Sequence, residues 1–290
     1  MSTANDGSRI WFITGASSGF GRAIAEEALR RGDSVVAAAR GVDALAGLAA
    51  EAPGRVEVVK LDVTKPDDIR RGVVAALARF GRIDVLVNNA GYSLVGAVEE
   101  TSEEELRAAM EAMFFGAVAL TREVLPHMRG RRSGAIVQIT SMGGLTTGPG
   151  FGAYCAAKHA LEGLSECMAA ELAPLGVRVL IVEPGAFRTR LFGGAFRSMP
   201  ALDAYAPTVG ATRAYAAGSD GSQPGDPAKA ARAIVDAIGL DPLPLRLPLG
   251  ADAVSGIRAK LARVAADVDR TEAIALDTAL DAAASGAETS

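Results

Sequence analysis

The sequence predicts an α/β protein: a doubly wound parallel sheet with helices on both faces, in a three-layer α/β/α arrangement. Three observations lead there. Short apolar runs rich in β-branched residues alternate with longer segments of helical period from residue 9 to about 182. A glycine-rich turn joins the first of these runs to the first helical segment. The length of 290 residues suits one large α/β unit with a sizeable core, so residues 1–290 are expected to form a single domain.

RIWFIT (9–14) is the first strand and GRAIAEEALRRG, with apolar positions at helical spacing, the first helix. SVVAAA and VEVVKL are the second and third strands, short and bounded by turn residues. DDIRRGVVAALARFG is a helix, IDVLVN the fourth strand, and SEEELRAAMEAMFFGAVALTREVLPHM a long helix. GAIVQIT is the fifth strand, residues 151–174 a helix, and VRVLIVEP the sixth strand. Strict alternation argues for parallel strands joined by helical crossovers.

After Pro184 the rhythm breaks. Residues 190–225 mix aromatics with Gly, Pro and Ser without a sustained period and are read as a substrate lid, a mobile surface excursion being the alternative. DPAKAARAIVDAI restores a helix, PLPLRLPLG is an edge strand hemmed by prolines, and 251 to about 270 is another helix. Residues 275–290 are expected to be a frayed, alanine-rich tail.

Composition excludes several classes. The net charge is −4 and no basic residues cluster with aromatics, so no nucleic-acid partner is expected. No apolar run reaches the roughly 20 residues of a membrane span. The start, MSTANDGSRIWFITG, lacks the basic patch and apolar stretch of a secretion signal, so a cytoplasmic protein is expected. Cys155 and Cys167, twelve residues apart on one predicted helix, are too distant to bridge and are read as small packing residues. His127 and His159 lack the spacing partners of a metal site, and no metal is expected.

TGASSGFG (14–21) lies where the first strand hands over to the first helix. Glycines there let backbone N–H groups approach a pyrophosphate, and the helix N-terminus adds favourable partial charge. The spacing of Gly15, Gly19 and Gly21 is G-x-x-x-G-x-G, and its position makes it a nucleotide turn of a Rossmann-type sheet. The second strand ends in Ala39 and Arg40, where an acidic residue would hold a free ribose 2′-hydroxyl. A guanidinium suits a 2′-phosphate by charge and by its forked donors, so NADP is expected over NAD. The alternative for Arg40 is a solvated side chain paired with Asp43.

In AYCAAK (153–158), Tyr154 precedes Lys158 by four positions, which sets both on one helix face. A free tyrosine keeps its proton to a pH of about 10, and a nearby positive charge eases formation of its anion. That arrangement suits a proton donor and acceptor for an alcohol or carbonyl.

Five motifs in order resemble the short-chain dehydrogenase/reductase family, over roughly residues 9–190: TGASSGFG, LDVT, NNAG, the ITS ending at Ser141 with YCAAK behind it, and PGAFRT. The resemblance implies hydride exchange between a nicotinamide cofactor and an alcohol or ketone, with Ser141, Tyr154 and Lys158 as catalytic residues. It also implies cofactor contacts. The turn residues Gly15, Ser17, Ser18, Gly19, Phe20 and Gly21 would take the pyrophosphate, Arg40 the 2′-phosphate, and Asp62 and Val63 the adenine. Asn89, Ala90 and Gly91 would lie beside the cofactor, Tyr154 and Lys158 at the nicotinamide ribose, and Pro184, Gly185, Phe187 and Thr189 at the carboxamide.

One position departs from the pattern. Met113 stands where the family usually carries an asparagine that helps fix a water in a proton relay, and a thioether accepts hydrogen bonds only weakly. This keeps open a second reading, an NADP-binding sensor or scaffold with weak turnover. Phe151, Phe187, Leu191, Phe192 and Phe196 point to a mainly apolar substrate pocket. The resemblance further implies a homodimer or homotetramer.

Overall fold

The computed structural model describes residues 8–194 and 196–280. Strand β1 (Ile10–Thr14) is followed by α1 (Gly19–Arg30), β2 (Ser34–Ala39), α2 (Ala46–Glu51), β3 (Val56–Lys60), α3 (Pro66–Phe80) and β4 (Val85–Asn88). Then come β5 (Ser93–Val95), α4 (Glu103–Met110), α5 (Gly116–Arg131), β6 (Gly134–Ile139), α6 (Gly152–Leu172) and β7 (Val177–Pro184). The chain ends with β8 (Phe196–Ser198), α7 (Ala206–Gly218), α8 (Pro227–Ile238), β9 (Arg246–Leu249) and α9 (Ala251–Leu276).

Seven strands form one parallel sheet in the order β3-β2-β1-β4-β6-β7-β9. Two apolar cores lie on its opposite faces, because successive strand side chains alternate: Trp11 and Ile13 pack with α1 and α8, while Ile10 and Phe12 pack with α3 and α5. The sheet is thus buried on both sides, and its strands read as nearly unbroken apolar runs.

Helix ends follow local chemistry. Pro66 opens α3 with Asp67 and Asp68 in its first turn, and Gly81 closes it with φ of 73°. Ser102 accepts from the Glu105 N–H to start α4. Between α4 and α5 the helix widens into a π turn, Glu111–Phe115, around Met113.

All six predicted strands are present, and PLPLRLPLG does supply the edge strand β9. The segment 190–225 is more ordered than its lack of period implied. It contains β8, paired with β5, and the helix α7, which buries only Val209 and Ala216, seven residues apart. Helix α9 continues past 270 to Leu276, where a frayed tail was expected, and residues 281–290 of that predicted tail lie outside the described residues. Cys155 is buried, as expected of a packing residue, but Cys167 is exposed. No helix among the described residues is long and apolar enough to cross a membrane.

Candidate active site

In this strand order, β1 and β4 are neighbours whose following connections leave to opposite sides, so a crevice opens beyond their carboxyl ends. The glycine turn sits there. Gly15 and Gly19 take φ of 64° and 56°. A Cβ on Gly15 would lie 2.9 Å from the Asn89 amide nitrogen, and one on Gly21 would collide with the Gly15 carbonyl oxygen. Ser18 precedes α1 in extended conformation, and its hydroxyl makes no cap bond to the helix. Close backbone, a helix N-terminus and two serines form a cradle whose donors suit a pyrophosphate.

The first asparagines of NNAG shape this cradle from below. The Asn89 side chain donates to the Thr14 carbonyl at 2.8 Å and its N–H to Thr14 Oγ1 at 2.9 Å; Ala90 N–H donates to the same hydroxyl at 3.1 Å. Asn89 therefore clamps β1 to β4 through its side-chain amide and backbone N–H. Thr14 was missed, although it opens the glycine motif. Asn88 donates to Thr121 Oγ1 at 2.9 Å, while its buried Oδ1 has no protein partner.

Arg40 stands exposed just past β2. Burial pushes the nearby Asp62 carboxyl up, but bonds from the Thr64 N–H and hydroxyl, with the charges of Arg40 and Lys65, hold it below its usual range. Val63 packs against Gly116, the first residue of α5. Across the crevice, Pro184 ends β7, and Ala186 N–H donates to Asp252 Oδ2 at 2.7 Å. Thr189 lies against Gly19, with its Cβ 3.4 Å from the position a Cβ there would take. Phe187 packs on Phe20 at 5.1 Å, on the glycine-turn side.

Ser141, Tyr154 and Lys158 converge. Ser141 follows β6, accepts from the Gly143 N–H at 3.0 Å, and is hydrogen-bonded with the Tyr154 hydroxyl. Lys158 is buried, with its Nζ 5.8 Å from the Tyr154 ring centroid, and donates to the Ile139 carbonyl at 2.8 Å. The expected acidification of the phenol does not occur in the protein itself. Burial pushes Tyr154 up to about 12 against the pull of Ser141, and burial lowers Lys158 to about 8 against the charge of Glu162.

A second group, not foreseen, lies behind the lysine. Glu162, one turn after Lys158, accepts from Arg246 Nη1 at 2.6 Å. The same guanidinium bonds Glu183 and Glu166. Burial and Glu162 together raise the Glu183 carboxyl. Glu162 also lies against Gly144: a Cβ there would meet its Oε1 at 2.9 Å, so the carboxyl supports the turn that follows Ser141. The i, i+4 spacing from Lys158 was the available signal. Met113 is buried beneath Gly91, whose added Cβ would lie 3.3 Å from the Met113 Cγ and 3.9 Å from Lys158 Nζ.

Aromatic residues of the 190–225 segment gather beside Phe151 and Tyr154. Phe192 packs on Phe151, Phe196 and Tyr215 at centroid distances of 6.4, 5.9 and 5.7 Å, and Phe151 reaches Tyr154 at 6.4 Å. Glu100 fastens this layer by accepting from Leu202 N–H at 2.7 Å and from Arg213 at 2.6 Å. Of the five predicted pocket residues, Phe187 lies apart, on Phe20.

With this geometry in view, comparison with known proteins is decisive. The family described as short chain dehydrogenase matches residues 9–199. The chain belongs to that family. As a short-chain dehydrogenase it is similar to the oxidoreductase BOA17 of Botryotinia fuckeliana, 41% identical over 85% of this chain and 90% of that protein. It also resembles a 3-ketodihydrosphingosine reductase of Bacteroides thetaiotaomicron, 40% identical over 62% of this chain and 65% of that protein. A short-chain dehydrogenase structure from Streptomyces avermitilis matches with a TM-score of 0.90 and 51% identity, covering 94% of this chain and 100% of the other. Related structures hold either nucleotide. One from Burkholderia phymatum contains NAD (TM-score 0.77, 25% identity, 87% and 92% coverage), and one from Burkholderia cenocepacia contains NADP (TM-score 0.71, 26% identity, 91% and 97% coverage).

Proposed function

We propose that this short-chain dehydrogenase is an NADP-dependent oxidoreductase that interconverts an alcohol and a carbonyl on a mainly apolar substrate. The observation that carries the reading is the convergence of Ser141, Tyr154 and Lys158: Ser141 acts on the Tyr154 hydroxyl, and Lys158 Nζ lies over the Tyr154 ring, 5.8 Å from its centroid. A bound nicotinamide supplies or accepts the hydride at the substrate carbon. Tyr154 handles the proton at the substrate oxygen. With its phenol pushed up to about 12, it is protonated at neutral pH and ready to donate during reduction. Ser141 hydrogen-bonds the same oxygen and orients it. Lys158 spends one donor on the Ile139 carbonyl, which leaves two for the nicotinamide ribose hydroxyls.

Arg40 supports NADP, because it stands exposed just past β2, where an acidic side chain would be needed to hold a free ribose 2′-hydroxyl. The aromatic layer of Phe151, Phe192 and Phe196 supports an apolar substrate, and similarity to a 3-ketodihydrosphingosine reductase agrees with it. A cytoplasmic location belongs to the same reading. Met113 favours the second reading, a nucleotide-binding sensor with weak turnover, since no asparagine supports the lysine there. Purified protein mixed with NADPH or NADH and a panel of ketones and aldehydes separates them: nicotinamide absorbance falls faster with NADPH under the first reading and stays flat with tight NADPH binding under the second.

A further inference from the structure

The glycine-turn crevice lies at the carboxyl ends of the strands. At the opposite end of the sheet, where β1, β4, β6 and β7 begin, an open cleft of about 290 Å³ is lined by Arg9, Arg82, Asp84, Arg131 and Arg178. That volume is close to the small end of the range for ligand pockets. Arg9 precedes β1, Arg82 precedes β4, Arg131 ends α5 ahead of β6, and Arg178 is the second residue of β7. These four strands are neighbours in the sheet, so each delivers one guanidinium to the same place.

The wall carries an excess of positive charge. Asp84 accepts from Arg82 Nε at 2.8 Å, from Arg131 Nη2 at 2.7 Å and from the Ile10 N–H at 2.8 Å. Burial pushes this carboxyl up, but those donors hold it below its ordinary range, so it is ionised at neutral pH and balances one guanidinium. Neither Arg9 nor Arg178 forms an ion pair among the described residues. Asp33, next along the chain from β1 on the sheet, is already taken by the Arg9 N–H at 2.8 Å and the Trp11 indole at 2.7 Å.

Structural bonds account for only part of the cluster. Arg178 donates to the Ile238 and Leu240 carbonyls at 3.2 and 3.1 Å, Arg131 to the Ile83 carbonyl at 3.2 Å, and Arg82 to the Ser8 carbonyl at 2.7 Å. A guanidinium has more N–H groups than these bonds use, and carbonyls fix its plane without removing its charge. Arg9 Nη2 lies 4.0 Å from the position of a Cβ added to Gly239, the residue between the two carbonyls that hold Arg178, so these two cations share one side of the cleft. Like charges gathered on a concave wall repel, and a bound anion relieves that repulsion.

We propose that this cleft binds a compact polyanion bearing phosphate groups, at a site separate from the glycine-turn crevice. Several forked donors approach from different strands. A tetrahedral phosphate offers oxygens in several directions, whereas a planar carboxylate is matched by a single fork. The unbalanced charge of the wall suits a ligand with more than one negative charge.

Titration calorimetry of inorganic pyrophosphate into the full chain saturated with NADPH, which keeps the probe from the glycine turn, tests it. The parent takes up one pyrophosphate per chain. Arg9→Gln, which breaks no hydrogen bond of the side chain, weakens binding about tenfold, and Arg9→Lys restores most of it. Arg9→Gln with Arg178→Gln abolishes it, with the circular dichroism and NADPH affinity of the parent. Arg258→Gln, on α9, leaves it unchanged, and citrate binds at least about tenfold more weakly than pyrophosphate. No uptake by the parent, equal uptake by the parent and the double variant, or citrate as tight as pyrophosphate overturns the proposal.

Discussion

Lys158 meets Tyr154 over its ring: Nζ lies 5.8 Å from the ring centroid and donates to the Ile139 carbonyl at 2.8 Å. Two buried groups with displaced proton affinities therefore share one helix face. The lysine falls from 10.5 to about 8, so an unfolded chain holds its proton more tightly than the folded one between those values. Stability consequently rises with pH across that window, after being depressed below it. Relative to Lys158→Met, the parent gains about 2 kcal/mol from pH 7.5 to 10. Urea midpoints of both proteins at pH 7.5 and 10 check this, and parallel shifts in the two would contradict it.

Glu162 opposes the loss of charge on Lys158. Glu162→Gln removes that opposition while keeping volume and one hydrogen bond to Arg246. The basic limb assigned to the lysine in the pH profile of kcat/KM then moves to lower pH, and Glu162→Asp moves it part of the way back. Unchanged limbs in both variants would make Glu162 a packing residue only.

Arg40 carries the choice of nucleotide. A charge-assisted hydrogen bond contributes roughly 1.5–3 kcal/mol, so Arg40→Ala lowers kcat/KM for NADPH by about 10–100-fold and leaves NADH nearly untouched. Steady-state rates with both nucleotides decide it; equal losses would assign Arg40 to the surface.

Gly21 has no room for a side chain, because a Cβ would strike the Gly15 carbonyl. Gly21→Ala must move the turn, with a destabilisation of about 1–3 kcal/mol and a larger loss of nucleotide affinity. Thermal melting with fluorescence titration of NADPH measures both. Gly163→Ala, inside α6 where nothing lies within 4 Å, is the control: it raises the melting temperature through helix propensity and leaves NADPH affinity unchanged.

The strands were legible because the sheet is buried on both faces, which leaves continuous runs such as Trp11–Ile13 and Val85–Val87. Helix α7 was not, since its two buried positions, Val209 and Ala216, sit among Gly, Thr and Pro and create no apolar stripe. At the site, the Ser141, Tyr154 and Lys158 set and the glycine turn followed from spacing and motif. The Arg246 cluster did not, because Glu162, Glu183 and Arg246 come from three elements that only the sheet order brings together. The direction of the Tyr154 shift also depended on a three-dimensional fact, the burial that outweighs the pull of Ser141.

The most direct test of the proton-transfer reading compares the parent with Tyr154→Phe on one reducible ketone, alongside NADPH binding. The account predicts a loss of turnover by a factor of about 10²–10⁴, with the dissociation constant for NADPH within a few fold of the parent. Turnover that survives the loss of the hydroxyl would contradict it.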